Sequence, residues 1–302
     1  MNEAGAMTVT SRRCVAASAT AVASMAMLYL VAVRTLKGQI FERVAANGRS
    51  LQPLRVRGAA WILLDTISAG SLAAVLVVVV GVALWARRPR SARTAAVVVI
   101  GSVGSTELLK LVILTRPDLA VVGDPNSFPS GHTTVAVSLV VACLFVVPPG
   151  RRGLVALVGT PYAIGIGIGT VIVGWHRPSD VLGAWLMVGA WAFAALGVLH
   201  RRSTVASALV VDPGTRRDMR PRGAVWPVVL GLSATAVGVV AVLLFTTSVG
   251  FDRQATTAQL GQKIALAKRA VAFAFSSAAI AALAVVEMAL LLRVPPPVEA
   301  SG

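Results

Sequence analysis

Apolar runs of about 20 residues, the length of a membrane-spanning helix, recur along almost the whole of this 302-residue chain. Polar connections separate them, and few charges interrupt them. We therefore predict an all-α protein, a polytopic membrane helix bundle. The pattern predicts eight spans, at residues 14–33, 62–85, 94–114, 133–148, 154–174, 180–199, 225–249 and 270–292.

The connections divide these spans into an N-terminal core and a C-terminal pair. Residues 1–199 hold six spans, 200–224 form a basic linker, and 225–302 hold two further C-terminal spans with a short tail. The first span follows a pair of arginines and resembles the apolar part of a signal peptide. Its length of about 20 residues favours a retained span.

Two other connections are long. Residues 34–57 are polar and basic, and we expect them, with the faces of the spans, to influence headgroup preference. Residues 250–269 place Leu260, Ile264 and Ala267 at helical spacing. That spacing predicts a short helix lying in the membrane interface.

Composition and charge support a membrane protein. Hydrophobic residues make up 56% of the chain and charged residues 13%, against about a quarter charged in soluble domains. The net charge is +16, but the arginines lie mostly in short loops, where they set topology and meet anionic headgroups. No basic face is interleaved with aromatic residues, so we do not expect a nucleic-acid partner.

The arginine-rich loops also predict an orientation. The stretches "ARRPRSAR" and "PGRRG" indicate cytoplasmic loops, so the loops at 116–132 and 175–179 are expected on the extracytoplasmic face of the plasma membrane. Cys14 and Cys143 lie in apolar segments and match neither a disulfide framework nor a metal site. Nothing in the sequence predicts an oligomeric state.

Three polar clusters stand out against this apolar background. They are "ELLKLVILTRPDL" at the end of the third span, "FPSGHTT" at the start of the fourth, and "GWHRPSDVLGAW" between the fifth and sixth. Alternation of the spans places all three on the same face of the bilayer. Two of the three histidines in the chain, His132 and His176, lie in these clusters.

The clusters contain groups suited to acid–base and nucleophilic chemistry on an anion. His176 and Asp180 are four residues apart at a helix start, where the carboxylate can fix the imidazole tautomer. Ser130 is a candidate N-cap, and Gly131 allows close approach to free amides that attract an oxyanion. Arg116 offers a planar fork of donors for phosphate oxygens.

Lys110 adds a further positive charge, and it has two interpretations. An ionisable residue within a span is expensive and often functional. Glu107 lies three residues earlier, so a simple structural ion pair is the alternative. Asp118 and Asp124 flank the loop without neighbouring metal ligands, and we interpret them as solvated loop residues.

Together the clusters resemble the type 2 phosphatidic acid phosphatase family, whose core is shared with vanadium-dependent haloperoxidases. The resemblance covers about residues 60–200 and rests on three motifs in order. They are Lys110 with Arg116-Pro117, the intact Pro129-Ser130-Gly131-His132, and His176 with Asp180.

The resemblance implies a lipid-phosphate phosphatase that needs no metal or other cofactor. It assigns His176 as nucleophile, Asp180 as its partner, and His132 as the acid that protonates the leaving oxygen and then activates water. The residues implied to hold the phosphate oxygens are Lys110, Arg116, Ser130 and Gly131. Phosphatidate, phosphatidylglycerophosphate, a prenyl phosphate or diphosphate, and a phosphorylated glycolipid precursor are the expected substrates.

Two positions depart from the family pattern. Five residues separate Lys110 from Arg116 where the family usually has six, which changes the direction of the lysine on a helix. Thr170 stands where the third motif normally has an arginine, and we expect Arg177 to supply that charge. A non-catalytic lipid-phosphate binding or transport protein is the alternative, while a vanadate haloperoxidase is disfavoured by the membrane setting.

Overall fold

The computed structural model describes residues 3–119, 125–208 and 257–294. Within these ranges every regular element is helical, which confirms the all-α fold. A π-helical turn continues α1 over Tyr29–Val33, and another continues α5 over Leu109–Ile113. The helices are α1 Glu3–Leu28, α2 Leu36–Asn47, α3 Leu54–Leu64, α4 Ala69–Trp85, α5 Pro89–Leu108, α6 Gly131–Val146, α7 Arg152–Val173, α8 Pro178–Ala208 and α9 Thr257–Arg293.

The helices confirm a multi-pass membrane protein. In the described ranges, 5 stretches are long and apolar enough to cross a bilayer: Thr10–Val33, Pro89–Ile113, Pro149–Val173, Pro178–Arg201 and Gly261–Arg293. Shorter apolar helices occupy Ala73–Trp85 and Gly131–Val146. The predicted span 225–249, and most of the predicted linker 200–224, lie outside the described residues.

The second predicted span, 62–85, is wrong as a single helix. Helix α3 ends at Leu64 and α4 begins at Ala69. The hydroxyl of Thr66 donates a hydrogen bond to the carbonyl oxygen of Leu63 at 2.7 Å. The break falls on Asp65, Thr66 and Ser68, residue types whose side chains compete with the backbone and favour turns over helix interiors.

The two long connections contain more helix than their sequences predict. Residues 34–57 include α2, whose N-cap Thr35 accepts a hydrogen bond from the Gly38 amide at 3.0 Å. The separate interfacial helix predicted within 250–269 is wrong, since α9 runs unbroken from Thr257. Its first turns are rich in Ala, Leu, Gln and Lys, which favour helix continuation.

Helix α8 lies at the centre of the bundle, packed against α1, α5, α6 and α9. Its Trp185 and Leu196 are completely buried. Small residues bring the helices close together, as is usual in lipid: a β-carbon on Gly167 of α7 would lie 2.6 Å from a methyl carbon of Val181. This packing fixes the end of the bundle where α6 and α8 begin.

Candidate active site

The N-termini of α6 and α8 meet at one end of the bundle. The amide of Ser130 donates to the carbonyl oxygen of Asp180 at 2.9 Å. The hydroxyl oxygen of Ser130 accepts from the Thr133 amide at 3.4 Å and from the Thr133 hydroxyl at 3.0 Å. The predicted N-cap is therefore present. Its completely buried side chain leaves the phosphate-binding role of Ser130 a prediction.

His176 and Asp180 are in contact, as their spacing predicts. Nδ1 of His176 lies 3.3 Å from Oδ2 of Asp180, whose side chain is completely buried. The same Oδ2 accepts from the Arg177 amide at 2.9 Å and from the Ser127 hydroxyl at 2.6 Å. The carboxylate thus closes the first turn of α8 in the manner of a capping box. Because Nδ1 faces Asp180, Nε2 is the ring nitrogen available for chemistry.

A tight turn between α7 and α8 presents this histidine. The carbonyl oxygen of Thr170 accepts from the amides of Trp175 at 2.9 Å and His176 at 3.2 Å. Gly174 ends α7 with φ +88°, a left-handed conformation that suits glycine. The Thr170 hydroxyl donates to the Gly167 carbonyl oxygen at 2.7 Å within a completely buried side chain. Thr170 therefore shapes the turn from inside the bundle.

Lys110 lies beside the N-terminus of α6 despite the shortened spacing in the first motif. A β-carbon on Gly131 would lie 3.5 Å from Nζ of Lys110. The lysine belongs to the π-helical turn, whose wider register changes the direction of side chains. The side-chain amide of Asn126 donates to the Lys110 carbonyl oxygen at 3.2 Å. Nζ also lies 2.7 Å from Oε1 of Glu107, so the ion pair considered as an alternative is present.

Helix α2 joins the first and third motifs through Glu42. Oε2 of Glu42 lies 3.7 Å from Nη1 of Arg116, and both side chains are almost completely buried. Oε1 of Glu42 accepts from the Ser179 amide at 2.9 Å in the first turn of α8. The side-chain amide of Gln39 donates to the Pro117 carbonyl oxygen at 2.7 Å. These contacts hold Arg116 against the start of α8.

The ionisation of Glu42 is sensitive to its surroundings. Burial, followed by the negative charge of Asp180, raises the pKa of the Glu42 carboxyl to about 7. Hydrogen bonding by Ser179 and the charge of Arg116 oppose this rise. A carboxyl with a raised folded pKa stabilises the fold below its ordinary pKa and loses that contribution as pH rises through the folded value.

Glu42→Gln is therefore expected to flatten the dependence of stability on pH. Between about pH 5 and about pH 8, the melting temperature of the wild type should fall relative to that of the variant, since only the wild type must ionise a buried carboxyl. Melting in detergent across this range measures the effect. Glu107→Gln, at a more exposed carboxylate, is the control. If the melting temperatures of wild type and Glu42→Gln changed in parallel with pH, the raised pKa of Glu42 would be contradicted.

A cavity of about 370 Å³ opens beside His176. Its cationic side chains are Arg43, Arg49, Arg116 and Arg177, and no carboxylate among the residues that the structure describes lines it, so it favours an anion. The full lining is Gln39, Arg43, Ala46, Asn47, Arg49, Arg116, Pro125, Ser127, Gly174, Trp175, His176 and Arg177.

His132 approaches this cavity through an aromatic contact. Its ring centroid lies 5.0 Å from that of Trp175, which lines the cavity. Trp175 also makes an edge-on contact with Trp61 of α3 at 5.2 Å. The imidazole of His132 does not itself line the cavity. The structure thus brings residues of all three predicted motifs to this end of the bundle, with His176, Arg116 and Arg177 at the cavity and His132 against Trp175 at its edge.

Comparison with known proteins agrees with this arrangement. A sequence profile of the PAP2 superfamily matches residues 16–204, well over half of the chain. The chain belongs to the PAP2 superfamily. The site lies inside the matched region, whereas α9 lies beyond it.

One curated relative gives a more local comparison. A lipid A 1-phosphatase of Rhizobium johnstonii (strain DSM 114642 / LMG 32736 / 3841) is 38% identical over 87 residues. The match covers 29% of this chain and 33% of the relative, so the chain spans about a third of the length of that protein. No solved structure matches the chain significantly.

Three residues near the site were not singled out by the sequence. Glu42, Arg43 and Arg49 come from the connection at 34–57, which carries no family motif. Its basic composition was the available signal, and it pointed only to headgroup preference. Within the described ranges, no group of three or more His, Cys, Asp or Glu side chains is placed to hold a metal ion.

Proposed function

We propose that this PAP2 superfamily member is a membrane-embedded lipid-phosphate phosphohydrolase. The observation that carries the proposal is the setting of His176. Its Nδ1 is held by a buried carboxylate at 3.3 Å, while the ring lines a cavity to which the described part of the chain contributes four arginines and no carboxylate. An oriented imidazole beside a cationic cavity suits nucleophilic attack on phosphorus.

The proposed reaction has two steps. Nε2 of His176 attacks phosphorus in line, the bond from phosphorus to the lipid oxygen breaks, and that oxygen takes a proton from His132. His132 then removes a proton from water, whose oxygen attacks the phosphohistidine and releases inorganic phosphate. Asp180 stabilises the positive charge on the imidazole in both steps. Positioning and charge stabilisation are most of what phosphoryl transfer requires.

A lipid is the substrate class that best fits the surroundings of the cavity. Trp61 of α3 contacts the cavity residue Trp175, and the same helix exposes Leu54 and Ile62 at 82% and 73%. An acyl or prenyl tail can lie along this apolar surface while the phosphate enters the cavity. The Rhizobium relative is named a lipid A 1-phosphatase, which supports a phosphorylated lipid as substrate. We propose that the site lies at the extracytoplasmic face, because the arginine-rich loops at the opposite end of the bundle are expected in the cytoplasm.

Phosphate release from purified protein tests this function. In detergent with a metal chelator, we expect release from at least one member of a panel of phosphatidate, phosphatidylglycerophosphate, prenyl phosphate, prenyl diphosphate and phosphorylated glycolipid. Binding of these lipids without release would favour the non-catalytic alternative. Intact cells should also hydrolyse a short-chain phosphatidate added outside. Hydrolysis only after lysis would show that the site faces the cytoplasm, opposite to our prediction.

A further inference from the structure

We infer that Arg49 supplies the phosphate-binding guanidinium that the third motif lacks, and that α9 holds it in position. The inference rests on the proposed function, because it names a ligand of the same phosphate. Arg49 lies in the 3-10 turn Gly48–Leu51 that follows α2. Neither that turn nor α9 contains any of the motif residues.

Thr170 cannot replace the arginine expected at its position. Its side chain is completely buried and its hydroxyl is used by the Gly167 carbonyl oxygen. It also carries no charge. The site therefore needs its cation from elsewhere in the fold.

Arg49 reaches the turn that presents the nucleophile. Its guanidinium lies directly against the α-carbon of Gly174, where any β-carbon would collide with it. Gly174 is two residues before His176, and both line the cavity with Arg49. The absence of a side chain at Gly174 thus makes room for a guanidinium beside the reacting imidazole.

Arg49, like Arg43, is less engaged than Lys110, Arg116 and Arg177. Lys110 pairs with Glu107, Arg116 lies beside Glu42, and Arg177 donates to the Ser127 hydroxyl at 2.9 Å. Among the described residues, the Arg49 guanidinium has neither a hydrogen-bonding partner nor a carboxylate partner, although the Arg49 carbonyl oxygen accepts from the Gln52 amide at 3.1 Å. An unpaired guanidinium in an anion-attracting cavity is suited to bidentate binding of phosphate oxygens.

Helix α9 supports the turn that carries Arg49. A β-carbon on Gly48 would lie 2.5 Å from Cβ of Phe273 and 2.8 Å from the Arg269 carbonyl oxygen. The turn therefore rests on the backbone of α9 with no room for a side chain. Because α9 lies beyond the matched family region, this support is an addition to the family core.

Orthovanadate and a lipid phosphate together test the role of Arg49. Arg49→Ala should weaken vanadate inhibition and lower kcat/KM by roughly 10- to 100-fold, as for loss of a charged hydrogen bond. Arg49→Lys should recover part of the loss, and free guanidinium should partly rescue Arg49→Ala. Arg55→Ala, at an exposed arginine of α3 outside the cavity, is the matched control.

The outcomes separate this inference from the proposed function. Equal activity and equal vanadate inhibition in wild type and Arg49→Ala would overturn the role of Arg49 and leave the phosphatase function standing. If the wild type released no phosphate, stabilisation by orthovanadate in a melting assay would still report the site. Stabilisation lost in Arg49→Ala and kept in Arg55→Ala would support the inference, and stabilisation kept in both would overturn it.

Two glycine substitutions test the support by α9. Gly48→Ala should weaken vanadate inhibition, because the added carbon pushes the turn away from α9. Gly58→Ala lies in α3, where nothing is within 4 Å of the added carbon, and should leave inhibition unchanged. Unchanged inhibition in a folded Gly48→Ala protein would show that α9 does not position Arg49.

Discussion

Replacing His176 with glutamine is expected to lower phosphate release from a lipid phosphate by at least about a thousandfold, the scale seen when a covalent nucleophile is removed. Glutamine keeps a polar side chain of similar reach. It has no ring nitrogen to attack phosphorus, so no phosphoenzyme forms. Release of inorganic phosphate in detergent, followed over single and multiple turnovers, measures the loss.

The third histidine provides the matched control for this experiment. His200 lies near the far end of α8, away from the cavity. His200→Gln makes the same chemical change and should retain wild-type activity. Release that survives in His176→Gln at a level near that of His200→Gln would rule out the proposed nucleophile.

His132→Gln is expected to lower turnover of lipid phosphates by about 10²- to 10⁴-fold, the usual contribution of a general acid–base group. The first step loses its proton donor, and the second loses the base that activates water. The two roles separate with p-nitrophenyl phosphate, whose leaving group departs without protonation. The variant should then release about one p-nitrophenol per enzyme rapidly and turn over slowly afterwards.

The burst is the discriminating feature of the His132 experiment. A burst appears only if phosphorylation of His176 outpaces hydrolysis of the phosphohistidine. His200→Gln again serves as the control and should show wild-type steady turnover. Equal losses on both substrates with no burst would show that His132 acts in neither proposed proton transfer. The contact of His132 with Trp175 would then indicate a structural role for this histidine.

Much of the site follows from the sequence because its motifs lie at helix ends. Alternating spans place such ends on a common face, and the Ser130 N-cap and the His176–Asp180 contact follow from local spacing. The proximity of Lys110 to Gly131 did not follow from spacing. A π-helical turn changed the register, and such turns carry no simple sequence signal.

The remaining parts of the site depend on contacts between distant segments. Glu42 reaches Arg116 and Ser179, and Arg49 reaches the cavity, because α2 and the turn after it pack against α9, more than two hundred residues away in sequence. No periodicity within 34–57 encodes that partner. The break after Leu64 was missed because the apolar residues on both sides were interpreted as one span, although Asp65, Thr66 and Ser68 interrupt them with residue types that favour turns.

The structure of the purified protein with bound orthovanadate tests the central claim most directly. Vanadate adopts the five-coordinate geometry of phosphorus during transfer. The account predicts vanadium bonded to Nε2 of His176, equatorial oxygens held by Arg116 and Arg49, and the imidazole of His132 facing the apical oxygen. Vanadate bound away from His176, or His132 facing away from the apical oxygen, would contradict it.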